Sequence, residues 1–98
     1  MSFVFMVFHY PEPSHRDELV VAMRGMAADM AHTPGFIEAG PWCEPGSDCV
    51  IGISKWASKR AFLATGITFR PSTEIPPGET RPRERFFLEV AATAREGE

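Results

Sequence analysis

Residues 54–62 constrain the fold of this chain more than any other segment. They read SKWASKRAF, which begins as a strand that ends at Trp56. Ser58 is a residue type that caps helices, and the residues after it have the spacing of a short amphipathic helix. The segment therefore predicts a strand that passes directly into a helix.

The same reasoning along the whole chain predicts four strands and two helices. The first helix lies between Ser14 and the breaker Thr33-Pro34-Gly35, and the second spans residues 58–65. The strands cover residues 3–10, 36–43, 49–56 and 85–92. The order β-α-β-β-α-β is the split βαβ arrangement of the ferredoxin-like fold, with a four-stranded antiparallel sheet. The sequence thus predicts an α+β domain.

Three local details accompany this prediction. Ser14 is expected to cap the first helix and Asp17 to lie in its first turn. A bend or bulge is expected at Gly40-Pro41 in the second strand. The first helix is expected to bury an apolar stripe with helical spacing, formed by Leu19, Met23, Met26, Ala27 and Met30.

Length and composition indicate one domain over residues 1–98. Residues 66–83 form a long proline-rich connection, and residues 93–98 are expected to be frayed. A net charge of −3 provides no general attraction to nucleic acid or to membranes. The apolar run 3–8 is too short for a signal peptide or a membrane span, so we expect a cytoplasmic protein. Cys43 and Cys49 flank a hairpin turn, so a cross-strand disulfide is geometrically possible, but two reduced thiols are the favoured expectation.

The first and last predicted strands have apolar residues on both faces. Phe86, Leu88 and Val90 alternate with Phe87 and Ala91 in the last strand, and the first strand shows the same property. Two helices cover only one face of such a sheet, which leaves a second face of roughly 19 by 17 Å. An apolar face of that size predicts a homodimer that packs sheet on sheet.

Residues 54–62, together with Thr33-Pro34-Gly35-Phe36, resemble the antibiotic biosynthesis monooxygenase family over roughly residues 2–65. The resemblance implies a dimeric α+β barrel in which Trp56 lines a cleft between sheet and helices, where an aromatic polyketide or haem binds. The haem-degrading branch has an Asn near the end of the first strand and a His after the second helix. Both are missing here. Some polyketide oxygenases of the family have a Tyr at the position of Phe62.

The candidate site residues follow from this comparison and from side-chain chemistry. His9 and Glu38 are the candidate proton acceptors, because an imidazole titrates near neutrality and a shielded carboxylate has a raised pKa. The expected substrate-binding residues are Trp56, Phe62, Ser54 and Tyr10. Trp56 follows the small residues Gly52 and Ser54, so it either fills the core or frames a cleft. The arginines at 70, 81, 83 and 85 could hold an anionic or phenolate ligand, but the glutamates among them favour a solvated loop with local ion pairs.

Three functional hypotheses remain open. The first is a monooxygenase without cofactor or metal that acts on a small aromatic or quinol-type molecule. The second is a non-catalytic small-molecule-binding barrel of the stress-response type. The third is a lactone isomerase or lyase built on the same barrel. An assay with and without oxygen separates the first from the third.

Overall fold

A computed structural model describes residues 2–91. Ala92, the predicted end of the last strand, and the predicted frayed tail 93–98 lie outside the described residues. The strands are β1 (Phe3–His9), β2 (Phe36–Cys43), β3 (Val50–Trp56) and β4 (Glu84–Glu89), and the helices are α1 (Arg16–Met30) and α2 (Lys59–Leu63). The described elements thus follow the predicted order, with ends that coincide or differ by up to three residues.

The four strands form one antiparallel sheet in the order β2-β3-β1-β4. β1 and β3, the first and third strands of the chain, are neighbours in the middle of the sheet. β2 and β4 are the edges. This is the ferredoxin-like topology, and the predicted fold class is confirmed.

Strand register divides the sheet into two faces. On the first, Phe3 lies opposite Trp56 and Phe5 opposite Ser54, and β4 places Phe87 beside Phe5. Both helices lie against this covered face. The second, which we call the open face, is mainly apolar and comprises Val4, Met6, Phe8, Ile51, Ile53, Phe86 and Leu88.

An aromatic cluster forms the core at one end of the covered face. Phe3, Trp56 and Phe62 are at most 2% exposed. The Phe62 ring centroid lies 5.2 Å from that of Phe3 and 5.9 Å from that of Trp56, while Phe36 meets the indole edge-on at 5.4 Å. Each such ring pair contributes roughly 1 kcal/mol beyond the area it buries. The short helix α2 delivers Phe62 to this cluster.

The two segments that carry the family resemblance are in contact. Gly35 has a φ of +82°, which a residue with a side chain rarely adopts, and its carbonyl oxygen accepts a 2.8 Å hydrogen bond from the Ala57 amide. A Cβ atom at Gly35 would lie 2.5 Å from the Cβ of Ala61 in α2. The Ser58 hydroxyl caps α2 by accepting from the Ala61 amide at 3.1 Å, as predicted.

Two local predictions are wrong. The irregularity of β2 lies between Phe36 and Glu38, and pairing is regular through Gly40 and Pro41. Proline is tolerated there because β2 is an edge strand. At the start of α1, Ser14 lies inside a 3-10 turn (Pro13–His15), and no side chain caps the helix.

The predicted buried stripe of α1 is only partly buried. Leu19 is buried, whereas Met23, Ala27 and Met30 are half-buried and Met26 is 59% exposed. The middle of α1 stands away from the sheet, and the space between them is a cavity.

The connection between α2 and β4 is attached to the end of β1. The Glu12 amide donates to the Gly78 carbonyl oxygen at 2.8 Å, and the Thr80 amide donates to that of Tyr10 at 2.8 Å. Pro76 and Glu79 are buried. These contacts close the connection over one end of the covered face.

We expect Gly35→Ala to destabilise the protein more than Gly46→Ala. Both glycines have positive φ, at +82° and +83°, so both substitutions incur the backbone cost of about 1 kcal/mol. Only at Gly35 does the added methyl group meet another atom, the Cβ of Ala61; nothing lies within 4 Å at Gly46. The overlap should lower the free energy of unfolding by roughly a further 1–3 kcal/mol, measured by urea denaturation. Equal losses would contradict the contact.

Candidate functional site

A cavity of about 410 Å³ lies between the covered sheet face, α1 and residues 67–70. Its volume is that of a small-molecule site. The wall formed by α1 is apolar and comprises Leu19, Ala22, Met23, Met26, Ala27 and Met30. The sheet forms the floor with the small residues Ala39, Gly40, Gly52 and Ser54.

Small side chains in β2 and β3 create this space. A Cβ atom at Gly52 would lie 2.9 Å from Met23 Cε and 3.0 Å from Val7 Cγ1, so glycine lets the wall reach the sheet. Ser54 is buried, and its Oγ accepts a 3.0 Å hydrogen bond from Trp56 Nε1. Among residues 2–91 the Ser54 hydroxyl donates to no acceptor, so its proton is available to a ligand.

His9 lies at the end of the cavity where β1 stops. It is 6% exposed, and its Nε2 faces the floor, because a Cβ atom at Gly52 would lie 3.7 Å from it. The other ring nitrogen, Nδ1, is buried without a hydrogen-bond partner and lies 3.8 Å from Glu79 Oε1. The nearby carboxylate favours the tautomer with its hydrogen on Nδ1, which leaves the Nε2 lone pair for the cavity.

Glu79 is held by a fork from Arg83. The Arg83 Nε donates to both carboxylate oxygens, at 3.1 and 2.9 Å, and its Nη2 donates to Oε2 at 2.5 Å. The Tyr10 amide donates to Oε1 at 3.4 Å. The Glu79 side chain is fully buried, and these hydrogen bonds replace the contacts with water that it has lost. The carboxylate is thereby fixed behind the imidazole.

The environment lowers the pKa of His9 to about 4. Burial is the largest cause, the positive charge of Arg83 the second, and Arg85 adds to it; the Glu79 carboxylate acts in the opposite direction. His9 is therefore a neutral imidazole at physiological pH, with one nitrogen free to accept a proton.

Arginines give the cavity a positive rim. Arg70, Arg83 and Arg85 line it, and none of its described lining residues is Asp or Glu. Phe69 packs against Phe5 with ring centroids 5.3 Å apart, which holds residues 67–70 over the opening. The arrangement suits a flat apolar molecule with an electron-rich or anionic group.

Solved structures with the same fold include several oxygenases. A structure described as an antibiotic biosynthesis monooxygenase has a TM-score of 0.72 and 11% identity, over 92% of this chain and 99% of that one. The fold is that of the antibiotic biosynthesis monooxygenases. No protein-family model matches the chain, and no curated protein matches it significantly.

Two further structures with this fold come from Streptomyces. One is the ActVA-Orf6 monooxygenase of Streptomyces coelicolor in complex with nanaomycin D, with a TM-score of 0.66 and 18% identity over 94% of this chain and 89% of that one. The other is a variant of SnoaB, a cofactor-independent oxygenase from Streptomyces nogalater, with a TM-score of 0.64 and 18% identity over 97% and 98%. At these identities the likeness establishes the fold.

Two of the predicted site residues line the cavity of this monooxygenase fold. His9 and Ser54 face it, whereas Trp56 and Phe62 lie in the aromatic core beside it. Of the two alternatives for Trp56, its position is that of a core residue. Its contribution to the cavity is the hydrogen bond that orients Ser54.

Glu38 and Tyr10 lie elsewhere. The bulge after Phe36 shifts the alternation of β2, so Glu38 pairs with Lys55, faces away from Trp56 and is exposed. The Tyr10 hydroxyl donates to Glu84, and the Arg81 guanidinium stacks 3.6 Å from the Tyr10 ring centroid. Partial burial, followed by the hydrogen bond to Glu84, raises the pKa of Tyr10.

The sequence reasoning favoured a solvated loop for Glu79, Arg83 and Arg85 and did not include them among the site residues. The expected solvated ion pairs exist between Arg70 and Glu74 and between Arg81 and Glu84, but the Glu79–Arg83 pair is buried. The one available signal was Glu79 directly after Pro76-Pro77-Gly78, a rigid turn that fixes the residue following it.

Cys43 and Cys49 are both free thiols. No helix within residues 2–91 has the length and hydropathy to cross a membrane. Among the same residues, no group of three or more His, Cys, Asp or Glu side chains is placed to hold a metal ion.

We expect the low pKa of His9 to make the protein less stable in mild acid. Above pH 6.5 the imidazole is neutral in both folded and unfolded chains, so it has no effect. Between pH 6.5 and about 4 only the unfolded chain takes up the proton, and the free energy of unfolding falls by about 3 kcal/mol in total.

The measurement is urea denaturation between pH 7.5 and 4, on the wild type and on His9→Gln. The variant lacks the titrating group, so the difference in stability between the two proteins should shrink or reverse as the pH falls. A constant difference over this range would show that the pKa of His9 is not lowered.

Proposed function

We propose that the protein is a cofactor-independent monooxygenase that acts on a small aromatic or quinol-type compound in the cavity. One observation carries the proposal: a buried, neutral imidazole faces a ligand-sized apolar cavity and has a fixed carboxylate behind it. The likeness of fold to SnoaB, a cofactor-independent oxygenase, supports a reaction that requires no cofactor.

His9 is the proposed proton acceptor. Its Nε2 takes a proton from a phenol or an activated methylene group of the ligand, and the resulting imidazolium lies beside the Glu79 carboxylate. The positive rim as a whole favours an anion on the ligand in the cavity. Both products of the transfer thus have an opposite charge nearby.

The electron-rich anion then reacts with molecular oxygen. For an anthrone-type substrate, a methylene group and O₂ yield a carbonyl group and water. One oxygen atom forms the new C=O bond, the other leaves as water with both methylene hydrogens, and the four electrons come from the substrate. His9 returns its proton to the departing oxygen. The protein contributes deprotonation, orientation and exclusion of water.

We expect His9→Gln to lower kcat/KM for an anthrone or hydroquinone substrate by roughly 10²–10⁴-fold, because the general base is removed. Oxygen uptake by chelator-treated protein is the measurement. The control is His32→Gln, which alters an exposed histidine beyond the end of α1. In the wild type, the acid limb of the kcat/KM profile should lie near pH 4.

The assay also separates the alternative functions. A ligand that binds in the cavity and is recovered unchanged in air supports the binding barrel. Product formed without oxygen supports the isomerase or lyase. Uptake that is equal in wild type and His9→Gln would remove His9 from the reaction.

We also propose that the protein is a homodimer formed through the open face. Phe86 and Leu88 on β4 are each 41% exposed, and they continue an apolar surface formed by β1 and β3. Soluble monomers rarely expose a contiguous apolar surface of this size to water. In this arrangement the cavities lie on the outer sides of the two sheets.

We expect Phe86→Glu to convert the dimer into a monomer, because a charge buried within an apolar interface has no partner. Sedimentation equilibrium measures the change. Leu63→Glu, which alters an exposed residue of α2, should leave the mass unchanged. A wild type that sediments as a monomer at 100 µM or below would contradict the proposal.

A further inference from the structure

Arg85 differs from the other arginines that line the cavity. Arg83 is engaged by Glu79, and Arg70 pairs with Glu74 at 3.0 Å. Arg85 makes no hydrogen bond or ion pair with any residue from 2 to 91, although it is half-buried on the covered face beside Val7. A guanidinium has five donors, and a shielded one gains most from an anion that accepts two of them.

Among the described residues, Arg85 is the arginine of the positive rim that has no carboxylate partner. Two of the three arginines of the positive rim have a carboxylate partner, and no Asp or Glu lines the cavity among the described residues. The protein as a whole carries −3, so the excess is local and opposite in sign to the chain. A local excess of this kind favours an anionic ligand.

Arg85 reaches the cavity from β4, the strand beside that of His9. It pairs with Val7, two residues before His9, so at about 3.4 Å per residue its backbone lies roughly 7 Å from that of His9 along the strand. Its Cζ lies 5.2 Å from the centroid of the Phe69 ring, and Phe69 packs against Phe5, which is further from His9. A ligand that extends from His9 toward Phe69 therefore passes Arg85.

We propose that Arg85 binds a carboxylate on the ligand, so that the site selects aromatic acids over neutral aromatics of the same shape. The inference rests on the proposed function for the location of the ligand, and it adds the chemical class. A planar guanidinium binds a planar carboxylate through two parallel hydrogen bonds. Phe69 beneath the guanidinium keeps it in place through a cation–π contact.

The test compares a dihydroxyanthraquinone carboxylic acid with its methyl ester by isothermal titration calorimetry. Both compounds have the oxidised ring of a product, so neither reacts during the titration. We expect the wild type to bind the acid at least tenfold more tightly. Arg85→Gln should weaken binding of the acid about tenfold or more and of the ester less than twofold. Arg85→Lys should give an intermediate loss for the acid, because the charge remains and the fork is lost.

Arg60→Gln is the matched control, because Arg60 is an exposed arginine of α2 outside the cavity, and it should bind both compounds like the wild type. Thermal unfolding confirms that each variant is folded. Equal affinity of the wild type for acid and ester, or no binding of either, would overturn the proposal. So would Arg85→Gln weakening both compounds alike, because Arg85 would then contact the ring.

These outcomes are independent of the oxygenase reaction. Failure of the proposed function appears as absent oxygen uptake in a protein that still prefers the acid. Failure of the Arg85 assignment appears as a lost preference for the acid in a protein that still consumes oxygen.

Discussion

The division of the covered sheet face between large and small side chains determines where a ligand fits. Phe3, Trp56 and Phe62 fill one end of this face, where α2 lies over them. Toward the other end, the small residues Ala39, Gly40 and Ser54 form the floor of the cavity below α1. Because one side of the cleft is packed to the density of a core, the open side keeps its shape without a ligand. Ser54 belongs to both parts, since it binds the indole and lines the cavity.

A buried ion pair gives the site its chemistry. Glu79 is a charge removed from water, and Arg83 supplies the hydrogen bonds that compensate it. The pair also joins the connection between α2 and β4 to the end of β1, which helps to order an otherwise irregular segment. His9 is left neutral, because it is buried next to an arginine whose charge already satisfies the carboxylate. The same contacts thus order the segment and keep the His9 imidazole neutral.

Local signals were sufficient for the element order, for the cap at Ser58 and for the turn at Gly35, because each depends on a few adjacent residues. The face of Glu38 could not be predicted, since one extra residue in β2 reverses the alternation after it and leaves no mark in the composition. The burial of Glu79 depends on Tyr10, 69 residues away in the chain. A contact between residues so far apart leaves no periodic pattern in the sequence. Charged residues in a proline-rich segment are therefore predicted to be solvated, although the fold can bury them against the end of a strand.

The methionines of α1 have a further consequence if oxygen is reduced in this cavity. Met23, Met26 and Met30 present three thioethers to the space where the proposed reaction would bring oxygen onto the ligand. Oxidants convert thioethers to sulfoxides, which are polar and no longer pack against an aromatic ring. Each such event would make the wall more hydrophilic and less selective for flat molecules. Oxidation of the wall would therefore limit how long the protein can carry out such a reaction, and a sulfoxide reductase would extend that time.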